Sequence, residues 1–150
     1  MGTEFDLLID GFGHDRIANQ LWLKYLDDKG LDAPDRKIFQ HILAASDAWL
    51  QRIEGKSPTA PPIFDITQAK MDELHDGWVQ ALKKGENPVI SYTRFTGEPG
   101  RQTLTQIAHH VVDHGTYHRG ELRGLCRARS EEDFPETGII GYYMHFKPAS

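Results

Sequence analysis

The stretch 104–126, LTQIAHHVVDHGTYHRGELRGLC, constrains this chain more than any other. It gathers four of the eight histidines, His109, His110, His114 and His118, on one helix-length segment. Leu104, Ile107, Ala108, Val111, Leu122, Leu125 and Cys126 recur there at helical spacing. The middle of that apolar stripe falls near positions 114, 115 and 118. His114 and His118 therefore stand where aliphatic side chains would be expected, and residues at i and i+4 share one helix face. The expectation is a chain that folds to bury this face and completes a metal site on it.

One domain, 1–150, suits a chain of 150 residues. A chain of this length buries roughly 68–70% of its unfolded surface and needs no staple to fold. Cys126 is the single cysteine, which rules out an internal disulfide and fits a reducing, cytoplasmic setting. Its apolar neighbours mark it as an inert buried thiol. The opening MGTEFDLLID has no basic n-region, so no secretory signal is expected. No stretch approaches 18 apolar residues, so no membrane span is expected. Seventeen basic against 22 acidic residues leave a net charge of −5. Without a basic run, nucleic acid is a poor partner.

Four amphipathic helices can be traced. The first covers 3–29, with Phe5, Leu8, Phe12, Trp22 or Leu23, and Leu26 inward, Asn19 on the same stripe and in need of a partner, and Gly30 as the stop. The second runs from about Pro34 to about Gly55 on a stripe of Ile38, His41, Ile42, Ala45, Trp49 and Ile53. Gln40, Asp47 and Glu54 read as its solvated face. The proline-rich segment 57–63 is a loop long enough to run along the body of a bundle. The third helix spans about 65–84, with Met71, Leu74, Trp78 and Leu82 inward. Residues 89–96 alternate like a strand, 97–100 form a turn, and a short return strand follows. Thr103 and Gln106 make a capping box that opens the fourth helix. The apolar tail FPETGIIGYYMHF is expected to pack back as a short helix or extended cap. The class is all-α: a four-helix bundle with one long crossover and a small β-hairpin inserted before the fourth helix.

The histidines divide by position. His109 sits with Gln102, Thr105, Asp113 and Thr116 on a polar face and reads as a surface residue. His14, beside glycine and aspartate, reads as polar surface or pocket rim. His110, His114 and His118 form an i, i+4, i+8 series, but each step drifts about 40° around the helix. One ion cannot easily take all three, so His110 is read as a pocket residue beside the ligands. His114 and His118 alone could be two hydrogen-bonded core histidines. His41 adds a third inward imidazole from another helix, and a shared divalent cation would satisfy all three at once.

These residues resemble a known family. IFQHILAASDAWLQRI is similar to the second helix of the DinB-like (DNA-damage-inducible) family of four-helix metalloproteins. HHVVDHGTYHRGEL is similar to its fourth-helix signature, H-x-x-N-H-x-x-x-H-R-G-Q. The hairpin VISYTRFTGEPG and the tail FPETGIIGYYM follow its pattern too. The resemblance implies metal ligands at His41, His114 and His118. It also implies a structural role for Arg119 and Gly120: hydrogen bonds or a salt bridge for the first, close helix packing for the second. Asp113 and Glu121 depart from the usual asparagine and glutamine, and Ile17 from a usual tryptophan.

Three imidazoles with open positions suit a catalytic site, since structural zinc is usually closed by four protein ligands. An open Zn²⁺ brings the pKa of water to about 7 and could equally deprotonate a thiol. Zinc is the first expectation for the one divalent ion, with nickel or iron as alternatives. The resemblance implies metal-dependent hydrolysis or transfer of a low-molecular-weight thiol, a small-molecule substrate, and a homodimer. His110, Tyr117 and Asn19 are the expected neighbours of the ligands. The alternative is a non-catalytic metal-binding or stress-response protein whose ion ties helix two to helix four.

Overall fold

The computed structural model describes residues 2–30 and 34–149. Helix α1 spans Thr3–Lys29, with Glu4 and Asp6 in its first turn, where the helix dipole favours acids. It stops at Gly30, whose φ of 64° is the left-handed conformation that glycine adopts without strain. Helix α2 spans Asp35–Ile53 and α3 spans Gln68–Lys83. The Thr67 hydroxyl caps α3, accepting from the Lys70 amide at 3.1 Å. Strands β1 (Val89–Thr93) and β2 (Pro99–Thr103) pair antiparallel, Val89 opposite Thr103 and Thr93 opposite Pro99. The turn thus occupies 94–98 rather than 97–100. The Arg94 amide donates to the Glu98 carbonyl at 2.8 Å and closes it, which leaves Pro99 at a strand end, where a missing donor is tolerated. Helix α4 spans Leu104–Ala128 and opens on the expected capping box of Thr103 and Gln106. The tail forms a fifth helix, α5, over Ile139–Phe146.

The protein is therefore mostly helical, with five helices and one small antiparallel sheet among the described residues. Helix α1 lies mainly against α3 and α4, and α2 mainly against α4 and then α3. The connection 54–67 carries the chain from α2 across to α3. Between the helices lie Trp22, Leu26, Phe39, Trp78, Leu82, Leu122 and Cys126, all 1% exposed or less. Phe12 stacks on Trp78 with ring centroids 4.8 Å apart. Each such side chain contributes about 1.5–3 kcal/mol by leaving water. All four inward residues expected on α3 are buried.

Two helix faces differ from expectation, and both differences move the histidines. On α4 the stripe is buried at Leu104, Ile107, Ala108, Val111, Leu122 and Cys126, but its centre is Gly115 and Arg119. Arg119 can be buried because it is fully met. Its Nη2 donates to Asp15 at 2.7 Å and to the Thr116 hydroxyl at 3.3 Å, and its Nη1 donates to Asn19 at 2.9 Å. Gly115 makes the room: a Cβ there would lie 3.0 Å from both Arg119 Nη1 and Asp15 Oδ1. Glycine and a paired arginine thus take the buried centre, and His114 and His118 are set to one side, half-buried.

On α2 the large side chains Phe39, Leu43 and Leu50 enter the core together with Ile42. The expected stripe of Ile38, His41, Ala45, Trp49 and Ile53 becomes its flank. The rotation is about one position, or 100°. His41 is consequently exposed. Asp47, expected in solvent, has a side chain only 13% exposed and meets Lys70 at 3.2 Å.

Helix α5 lies along α1. Tyr142 packs where Gly13 leaves no side chain, and Lys147 pairs with Asp10 at 2.9 Å. None of its residues is buried, and Ile139, Ile140, Met144 and Phe146 remain exposed.

Candidate metal centre

Because α2 packs along α4, the flank of one helix faces the flank of the other, and three imidazoles meet there. His41 Nε2 and His114 Nε2 are 3.0 Å apart. The ring of His118 is centred 4.7 Å from that of His41 and 4.4 Å from that of His114. One nitrogen from each ring lies within 4.8 Å of the others. Ligand nitrogens around a tetrahedral zinc stand about 3.3 Å apart, given bonds of about 2.0–2.1 Å. The donor set suits one small divalent ion, and the His41–His114 pair already stands near that spacing. His41 is exposed and the other two are half-buried, so the cluster opens on one side to solvent.

The surroundings favour the ligating form of these rings. Burial pushes the pKa of His114 down to about 4, and the neighbouring His118, His41 and His110 push it further the same way. Burial, then His118, lowers that of His41. A neutral imidazole offers a lone pair to a metal, whereas an imidazolium does not. His118 has an additional constraint. Its Nδ1 lies 2.8 Å from Glu121 Oε1, so an Nδ1–H donates to the carboxylate and Nε2 is left as the lone-pair nitrogen. In the sequence Glu121 stands out only as a departure from the usual glutamine. The signal that would have found it is its i+3 spacing from His118.

The other expected neighbours fall in different places. His110 is adjacent, its ring 5.5 Å from His114 and 5.6 Å from Trp49. Tyr117 meets the edge of His118 at 5.0 Å while remaining 72% exposed. Asn19 is buried as expected, but its partner is Arg119, and it lines a small internal cavity with Asp15, Ser46 and Trp78. Gly120 does not serve close packing: a Cβ there would meet nothing within 4 Å, and Gly115 has the tight position instead. His14 is not a surface residue but lines the cavity between α1 and α4. It is 5% exposed, and its ring Nε2 donates to the Thr137 carbonyl. His109 is exposed, as expected.

A cavity of about 580 Å³ lies between α1 and α4 and is lined by Leu7, His14, His109, Val112 and Asp113 among others. None of the three clustered histidines lines it. Its walls lack the converging lone pairs found on the α2–α4 flank, so the chemistry, not the volume, locates the site.

A family model described as the DinB superfamily matches residues 11–122. The match takes in His41, His114, His118 and Glu121, and it ends before the close of α4 and the tail. No curated protein matches the chain.

Proposed function

We propose, starting from the fact that the chain belongs to the DinB superfamily, that His41, His114 and His118 hold one divalent metal ion and that the protein is a metal-dependent enzyme. The observation that carries this reading is the convergence of one nitrogen from each ring within 4.8 Å across two helices. We read the ion as zinc first, with nickel or iron as alternatives, since imidazoles accept all three. An ion held there supplies Lewis acidity to a hydrolysis or to transfer of a low-molecular-weight thiol. The residues themselves supply position. Glu121 orients His118, while His110 and Tyr117 flank the opening through which a small molecule enters. In this reading the four long helices form a four-helix bundle, the protein acts in the cytoplasm, and two copies associate as a homodimer.

The alternative is a non-catalytic metal-binding or stress-response protein. It is favoured by the way the cluster bridges α2 and α4, so that an ion would tie them together. Metal analysis of untagged protein tests the shared premise. One equivalent of metal is expected in the wild type and none in a His114→Ala/His118→Ala variant; equal trace metal in both overturns the site. Turnover on a panel of esters, amides and thiol-accepting electrophiles, lost in that variant, supports the enzyme. A large fall in Tm on chelation with no turnover on any panel supports the scaffold.

A further inference from the structure

Two arginines lie almost fully inside this protein, and they are treated differently. Arg119 is met by Asp15, Asn19 and Thr116. Arg52, 6% exposed, has no carboxylate or hydrogen-bond partner among the described residues, and its Nε is buried without an acceptor. Its neighbours are rings: Trp49 at 4.4 Å, Phe95 at 4.7 Å and Tyr92 at 5.4 Å. The charged group nearest in influence is another cation, Arg94. Aromatic faces offset part of the cost of burying a guanidinium, but a counter-charge normally completes such a site.

Its position is informative. His41, Ala45, Ala48 and Arg52 follow one another at steps of four, three and four, so they share one face of α2. His41 and Arg52 are three turns apart, roughly 16 Å of helix rise. Ala45 between them is half-buried and Ala48 is buried, so any route from one to the other passes over the rings beside that face. Beside it runs a continuous wall: Tyr92 on Trp49 at 4.8 Å, Trp49 on His110 at 5.6 Å, and His110 on His114 at 5.5 Å. The wall joins the unpartnered guanidinium to the three-histidine cluster.

We propose that Arg52 receives the carboxylate of an elongated substrate whose reacting end meets the three-histidine site and whose middle lies along Trp49 and His110. The inference rests on the metal-site reading above and names the class of molecule that site takes. A local cation is needed because the chain as a whole carries −5 and repels anions. The planar guanidinium fork, held between rings, matches a carboxylate better than an ammonium would.

Cobalt-loaded protein tests this with ω-mercapto carboxylates of rising length, from mercaptoacetate to mercaptoundecanoate, each compared with its ω-mercapto alcohol. Thiolate binding is followed by the sulfur-to-cobalt absorption band. For the long members the carboxylate is expected to bind about tenfold more tightly than the alcohol in the wild type, in line with one charge-assisted contact. The shortest members are expected to show no such preference, and Arg52→Met is expected to remove it at every length. Equal binding of acid and alcohol at all lengths in the wild type overturns the proposal. So does a preference that survives Arg52→Met. If Arg52→Met disturbs the cobalt spectrum itself, Arg52→Lys decides. A reduced but length-dependent preference supports the proposal, and an unchanged one overturns it. Absence of any cobalt spectrum in the wild type removes the metal reading and this one with it. A normal cobalt spectrum with no carboxylate preference removes this one alone.

Discussion

His41 Nε2 and His114 Nε2 face each other at 3.0 Å although 73 positions separate the two residues in the chain. Two ring nitrogens at that distance need either a shared proton or a shared ion. His118 completes the cluster, and Glu121 fixes which of its nitrogens is free. Glu121→Ala is therefore expected to weaken metal affinity by about 10–100-fold, the range for losing an outer partner of a histidine ligand. Glu121→Gln keeps the acceptor and loses only the charge, so its loss is expected to be smaller. Competition with a chromophoric chelator measures both, and an alanine variant with wild-type affinity would sink the role.

The Asp15–Arg119 pair makes a prediction about stability rather than metal. Arg119 has a side chain 2% exposed and Asp15 one 13% exposed. Burial pushes the carboxyl pKa of Asp15 up, against the pull of Arg119, and the 2.7 Å contact keeps the two together. Asp15→Ala leaves a guanidinium buried with only an amide and a hydroxyl, and is expected to cost about 3 kcal/mol. Urea unfolding measures it; a change below about 0.5 kcal/mol, the usual range for surface substitutions, contradicts the pairing.

Gly115 and Gly120 should respond oppositely to the same change. Gly120 is an exposed helix residue whose added Cβ meets nothing. Gly120→Ala is expected to stabilise by up to about 1 kcal/mol, or a Tm gain of about 2–4 °C. Gly115→Ala would press on Asp15 and Arg119 at 3.0 Å and forfeit that gain. Paired thermal melts check this, and equal shifts would refute the assignment of close packing to Gly115.

His14 gives a pH dependence whose sign can be worked out. Burial lowers its pKa, and only the Thr137 carbonyl and Asp15 pull it back. Unfolded, it titrates near its ordinary value of about 6.5. Between the folded and unfolded values the unfolded chain binds more protons, so the stabilisation is fully present above about pH 6.5 and is lost as pH falls through the folded pKa. His41, His110 and His114 are lowered too and act with the same sign. Metal-free protein should lose stability from pH 7.5 to 5, and His14→Gln, which can still donate to Thr137, should show a shallower loss. Identical slopes in urea titrations across that range would exclude His14 as a contributor.

Much of the fold was legible because its signals are local. Helix α1, the α3 core face, the capping box and the hairpin each follow from spacing and turn chemistry within a few residues. The three histidines were legible for a similar reason: they broke an apolar pattern. What local pattern misjudged was rotation. A one-position turn of α2 exposes His41, and a buried Arg119 displaces His114 and His118 from the centre of α4. Periodicity treats an arginine as solvent-facing, and Arg119 is buried because Asp15 and Asn19 on another helix satisfy it.

The sequence by itself determined that four long helices form, where they start and stop, and which imidazoles could act together, since those follow from period, caps and residue chemistry. Tertiary structure alone decided that the imidazoles meet at an open flank instead of inside the core. It also decided that Glu121 holds His118, and that Arg52 lies between rings with no counter-charge. Those outcomes depend on which helix faces which, and that is set by competition among large side chains for the same interior.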